Sequence, residues 1–142
     1  MKTVNYWYID GLLAPIFVNP DDDQFIKSFH FPDANDESEV KRVLNAQIKP
    51  CFMKFDRETQ EHIKDTLQYY LSSIPNENTK ERSHFFSALF GMASPAFTDP
   101  GDPRLFFVWL WEVLYGSESY LIDDYRDYVE NNDAQVIIRT YR

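Results

Sequence analysis

The side chains of this 142-residue chain that could hold a metal, attack a carbonyl or relay a proton are three histidines, one cysteine and a surplus of carboxylates. Their spacing gives none of them an obvious task. His30, His62 and His84 are far apart, and Glu61-His62 lacks the second histidine that would place two imidazoles on one helix face over zinc. With 4 glycines there is little from which to build a phosphate-cradling loop. Cys51 stands in the apolar run Cys51-Phe52-Met53, where a lone thiol reads as a small packing residue rather than a nucleophile. Asp99-Pro100-Gly101-Asp102-Pro103 has the composition of a turn, without the alternating oxygen ligands and closing glutamate of a calcium loop. Glu112 lies in an otherwise apolar stretch, and the plainer account puts it at the exposed edge of a helix. Carboxylate pairs are plentiful, but acid–base chemistry needs two at a set separation across a cleft. The expectation is a protein that is not an enzyme, with no catalytic residue, no metal and no cofactor.

The segment Ser117-Glu118-Ser119-Tyr120-Leu121-Ile122-Asp123-Asp124-Tyr125-Arg126-Asp127-Tyr128-Val129-Glu130 points instead to binding. Read as a helix reaching about Asn131, it buries Leu121, Tyr125 and Val129 with Ile122. Asp123, Asp127 and Glu130 then line one exposed flank, with Asp124 close by and Tyr120 and Tyr128 as rigid amphipathic contact surface. Like charges three and four apart cost an isolated helix roughly 0.2–0.5 kcal/mol per pair, and acids near its C-terminal end oppose the dipole. A basic partner would relieve both. A second cluster, Asp21, Asp22 and Asp23 with Asp33, Asp36, Glu37 and Glu39, extends the candidate surface. The plainer account of the triplet is acid at the positive start of a short helix, and of both clusters a solvated acidic face.

Bulk properties agree with a binding role. The net charge of −9 argues against gripping nucleic acid or an anionic membrane, both of which call for a basic surface. An acidic surface attracts basic proteins, although acidity also serves solubility alone. A single cysteine allows no intramolecular disulfide and does not indicate an oxidising compartment. Asn5, Asp10 and Pro15 break up any leader-like start, and the run from Leu105 to Trp111 is too short to span a bilayer, so a cytoplasmic location is the default expectation.

The elements expected to carry these residues are mainly helical, about five or six helices around a central apolar one, in a single domain over residues 1–142. Lys2 to Ile9 reads as a strand ending at the turn Asp10-Gly11, with Leu12 to Val18 as a hairpin partner on an edge. Helices are expected from Asp36 to Ile48, stopped by Pro50, and from an Asp56 cap to Ile74. A third starts from an Asn78–Glu81 capping box and ends at Gly91. Asp102-Pro103 opens the central helix, apolar almost all round through Leu114, and Gly116 ends it. Gln135 to Tyr141 reads as a terminal strand that pairs with Lys2 to Ile9 in a small sheet.

A small acidic chain with tyrosines set among Asp and Glu in its last quarter resembles the immunity proteins of bacterial toxin systems, such as the partners of nuclease bacteriocins and of contact-dependent growth inhibition toxins. That class is structurally diverse, so the likeness implies no fold. It implies a one-to-one complex with a cognate toxin domain and inhibition without turnover; a monomer or a 1:1 heterodimer is expected, the oligomeric state being left open by the residues. For a nuclease toxin the basic phosphate groove would be the electrostatic match of the acidic surface. Two rivals stand beside it. One is an acidic nucleic-acid mimic of the phage anti-restriction or anti-CRISPR type, for which acids along one continuous surface would speak. The other is an enzyme of unrecognised type, for which at least two of Glu112, His62 and His84 must share a pocket.

Overall fold

Asp102 and Pro103 begin the central helix as their types require. The Asp102 carboxylate accepts from the Leu105 amide at 3.4 Å, and proline fills a first-turn position where no N–H is needed. In the computed structural model, which describes residues 2–17, 31–72, 79–93, 95–131, 133, 135, 136 and 138–140 (backbone only for 79–84), the elements run in this order: β1 (Lys2–Val4), α1 (Trp7–Leu13), α2 (Glu37–Val43), α3 (Lys49–Lys54), α4 (Arg57–Ser72), α5 (Thr79–Ala93), α6 (Pro103–Tyr115) and β2 (Tyr128–Glu130). The protein is mainly helical with one two-stranded sheet. Helix α6 is the central one, packing against α2, α3, α4 and α5. Its Phe106, Phe107, Leu110 and Trp111 are wholly buried, and Phe106 meets Phe90 edge-on with ring centroids 5.1 Å apart. Gly116 ends it at φ 64°, a left-handed conformation that favours glycine.

Helix α4 starts where Asp56 accepts from the Thr59 amide at 2.9 Å, and it buries Ile63, Thr66, Leu67, Tyr70 and Leu71 at helical spacing. The Thr59 amide, then the Thr59 hydroxyl and the charges of Arg139 and His62, hold the Asp56 carboxyl below the ordinary carboxylate range. A depressed folded value means the cap stabilises fully above the unfolded value of about 4 and is lost as pH falls through the lower folded value. Melting temperature followed from pH 6 downward should therefore fall less steeply below about pH 4 in Asp56→Asn than in the parent.

Several expected boundaries move. Strand β1 stops at Val4, because Asn5 accepts from the Trp7 amide at 2.9 Å and turns the chain into α1. There Ile9, Leu12 and Leu13 are buried with helical spacing, which outweighs the β-propensity of Tyr6 to Ile9. Gly11 is thus within a helix, not a turn; a Cβ there would collide with the Ile138 side chain. The expected hairpin strand is replaced by the end of α1 and a 3₁₀ turn at Ala14–Ile16 carrying Pro15. Pro50 does not end its helix. A π turn over Leu44–Ile48 absorbs the missing proline N–H, and the chain continues helically into α3. Helix α5 passes Gly91 and ends at Ala93. Asn78, its expected cap, lies outside the described residues.

The sheet joins the two ends of the chain, as expected, but with a different C-terminal member. Strand β2 (Tyr128–Glu130) pairs with β1 in parallel, Lys2 opposite Tyr128 and Val4 opposite Glu130. In the expected terminal strand only Thr140 pairs among the described residues, in an isolated bridge to Phe55. No helix among the described residues is long and apolar enough to cross a membrane.

Candidate binding surface

The segment after Gly116 is not a helix. It crosses the molecule as an extended strap, makes one 3₁₀ turn at Tyr125–Asp127, and enters β2. Three causes act together. Ser119 accepts from the Leu121 amide at 3.1 Å and Asp124 from the Arg126 amide at 2.9 Å, and such short side-chain bonds compete with helix formation. Extension also separates Asp123 from Asp127 and Asp127 from Glu130, relieving repulsion of roughly 0.2–0.5 kcal/mol per pair. Finally, α4 and α6 supply partners for the strap's polar groups. The buried Ser72 hydroxyl donates to the Tyr120 carbonyl and accepts from the Ile122 amide at 3.0 Å, and the Tyr125 hydroxyl donates to the Ser72 carbonyl. The Trp111 indole N–H donates to the Glu118 carbonyl at 2.6 Å.

An extended chain turns alternate residues to opposite faces. Tyr120, Ile122 and Asp124 accordingly are half-buried against the body, while Leu121 and Asp123 face solvent. The apolar stripe expected to be buried is the reverse. Leu121 is 63% exposed, and Tyr125 and Val129 are each 43% exposed.

The expected partner-binding residues divide into two groups. Asp123, Asp127 and Glu130 are exposed and have no ion pair among the described residues. Tyr120, Asp124 and Tyr128 serve the fold. The Tyr120 hydroxyl accepts from Arg104 at 3.2 Å. Asp124 is engaged by the Arg126 guanidinium at 2.9 Å, a bond that holds its carboxyl below the ordinary range. Tyr128 packs beside Tyr69, ring centroids 5.7 Å apart and planes tilted by 31°, beneath the Lys2 ammonium. Asp21, Asp22 and Asp23 lie outside the described residues. Of their companions, Asp36 caps α2, and Glu39 accepts from the Asp33 amide at 2.7 Å. Those acids close a loop and a helix start.

Sequence reasoning missed a polar cleft of 280 Å³ that adjoins the strap, walled by β1, α1, α4 and the residues after β2. Tyr8 and His62 stack within it, ring centroids 5.1 Å apart and planes 8° from parallel, with Glu58 3.8 Å from the imidazole. Asn5, Asp133 and Arg139 are among its other polar lining residues. No linear signal could have found it, since its members come from both ends and the middle of the chain. Glu112 lines a different hollow, half-exposed and 3.4 Å from Lys41, so it shares no pocket with His62. The His84 side chain is outside the described set.

No protein-family model, curated protein or solved structure matches this chain.

Proposed function

We propose that this protein is an immunity protein, binding and neutralising a cognate toxin domain through the strap and its exposed acids, without turnover or cofactor. The toxin is a basic nuclease in this reading, and the location bacterial cytoplasm. The observation that carries the reading is that Leu121, Tyr125 and Val129 stand exposed along the strap among the exposed carboxylates of Asp123, Asp127 and Glu130, which have no ion pair among the described residues. Apolar and aromatic groups that remain in water at such positions suit the desolvated centre of an interface, and the acids around them suit its charged rim. Acids interleaved with Leu and Tyr favour this reading over a nucleic-acid mimic, which calls for a continuous acidic track.

Tagged protein expressed in its source cells should copurify with a stoichiometric basic toxin or nuclease domain, identified by mass spectrometry. Recovery of a clean monomer would overturn the proposal. With the partner in hand, the association rate should fall steeply as salt shortens the screening length from about 30 Å at 0.01 M to about 8 Å at 0.15 M. A salt-independent on-rate would remove electrostatic steering from the account.

A further inference from the structure

The cleft beside the strap is continuous with the proposed interface. Thr3, in its wall, pairs with Val129 of the strap, and Asn131 follows β2 directly and donates its amide to the Val4 carbonyl at 3.0 Å. The end of the strap at Val129 and Asn131 therefore borders the cleft. Its volume of 280 Å³ is below the range of about 300–1,000 Å³ typical of pockets that enclose whole small molecules, and suits a single inserted side chain.

The character of that side chain follows from the lining. Tyr8 and His62, stacked on each other from α1 and α4, make up the cleft's aromatic wall. The Glu58 carboxylate borders this wall, 3.8 Å from the imidazole, and Asp133 also lines the cleft, its backbone carbonyl accepting from the Asn5 side-chain amide at 2.6 Å and its carboxylate from the Gln135 amide at 3.0 Å. Arg139 is the one opposing guanidinium among the lining residues, and Asp56 lies close enough to feel its charge. Two carboxylates, Glu58 and Asp133, thus stand against one guanidinium among the lining residues, with His62 counted neutral. Burial first and Glu58 second raise the Tyr8 hydroxyl above its ordinary range, with Asp56 adding to them, against the smaller opposing effect of Arg139. A planar cation satisfies all of these features at once. It lies flat on an aromatic face and donates in its plane to carboxylates and amide oxygens.

We infer that the cleft bounded by Tyr8, His62, Glu58 and Asp133 is a receptor for a guanidinium group, filled in the complex by an arginine of the partner that passes over the strap. The inference rests on the proposed function for the partner's identity, but not for the chemistry of the cleft. A cationic anchor beside an acidic rim fits a basic partner, and arginine is enriched among the residues that dominate interface energies.

The test needs only the isolated protein and N-acetylarginine amide as the probe. Titrated into isotope-labelled protein, the probe should shift the backbone amide resonances of Tyr8, His62 and Asp133 saturably, with the strap's Leu121 unmoved. Glu58→Gln and Asp133→Asn, both exposed changes, should each weaken binding by about twofold to fivefold at unchanged far-ultraviolet dichroism. Tyr8→Leu, which keeps apolar bulk but removes the flat face, should weaken it as well. N-acetylglutamate amide, an anion, should produce no saturable shift. Binding of the anion instead, abolished by Arg139→Gln, would overturn the inference, and so would an absence of saturable shifts with the arginine probe. Probe binding without a copurifying toxin would uphold the cleft and sink the proposed function; a toxin partner without probe binding would do the reverse.

Discussion

Asp123→Lys combined with Asp127→Lys is expected to weaken the complex with the partner by at least about 3 kcal/mol, a loss of more than a hundredfold in Kd, while the protein melts within about 2 °C of the parent. The two halves of the expectation have different origins. Both carboxylates are exposed, and neither has an ion pair among the described residues, so the folded chain gains little from them. Set against a basic surface, each lysine replaces an attraction by a like-charge contact, which costs several kcal/mol across an interface. Titration calorimetry with the copurified partner, alongside a thermal melt of the free protein, measures both. Unchanged affinity would take the strap out of the interface. As a control, Asp124→Asn should change affinity much less, because that carboxylate is already engaged by Arg126.

The largest effect on stability is expected from Trp111→Ala, about 3–5 kcal/mol, out of a total near 5–15 kcal/mol for a domain of this kind. Trp111 is 1% exposed in the C-terminal half of α6, packs on Tyr115 with ring centroids 4.2 Å apart, and holds the strap through the Glu118 carbonyl. Truncation opens a cavity and also strips a carbonyl of its donor. Trp111→Phe shifts the balance between these losses, since it keeps an aromatic ring and most of the apolar volume while removing the N–H. That variant should lose about 1 kcal/mol and should speed amide hydrogen exchange in the strap ahead of the helices. Chemical denaturation gives the first quantity and exchange the second. A Trp111→Ala protein as stable as the parent would mean that the indole is not part of the core.

The elements legible in the sequence are those whose signals lie within a few residues of one another. Asp102-Pro103 and Gly116 bracket α6, and Asp56 caps α4, because a cap bonds to an amide only three residues away. The run of large apolar residues from Leu105 to Leu114 made α6 the central helix, since no other position could hide so many rings. Asn5 misled in the other direction. Its β-rich neighbours suggested a strand, but a two-residue bond from its side chain to Trp7 starts a helix, and the burial of Ile9, Leu12 and Leu13 completes it.

The candidate surface was legible in its residue types and not in its shape. Composition and charge alone singled out Ser117 to Glu130, while apolar periodicity suggested a helix there and the repulsion among Asp123, Asp127 and Glu130 read as a charge for a partner to relieve. What decided against the helix lies far off in the chain. Ser72 and Trp111 offer the strap hydrogen bonds that a helix would have made within itself, and β1 pairs with it from the opposite terminus. The same holds for the cleft, whose Tyr8, His62 and Asp133 come together only because α1 packs on α4 and the chain after β2 folds back beside β1. The sequence by itself determined a mainly helical chain with an apolar central helix, an acidic surface and a tyrosine-bearing acidic segment, because caps, periodicity and charge act over short range or in sum. Which of that segment's side chains face water, and what gathers beside them, only the tertiary structure decided, because those outcomes depend on hydrogen-bond partners supplied by residues far apart in sequence.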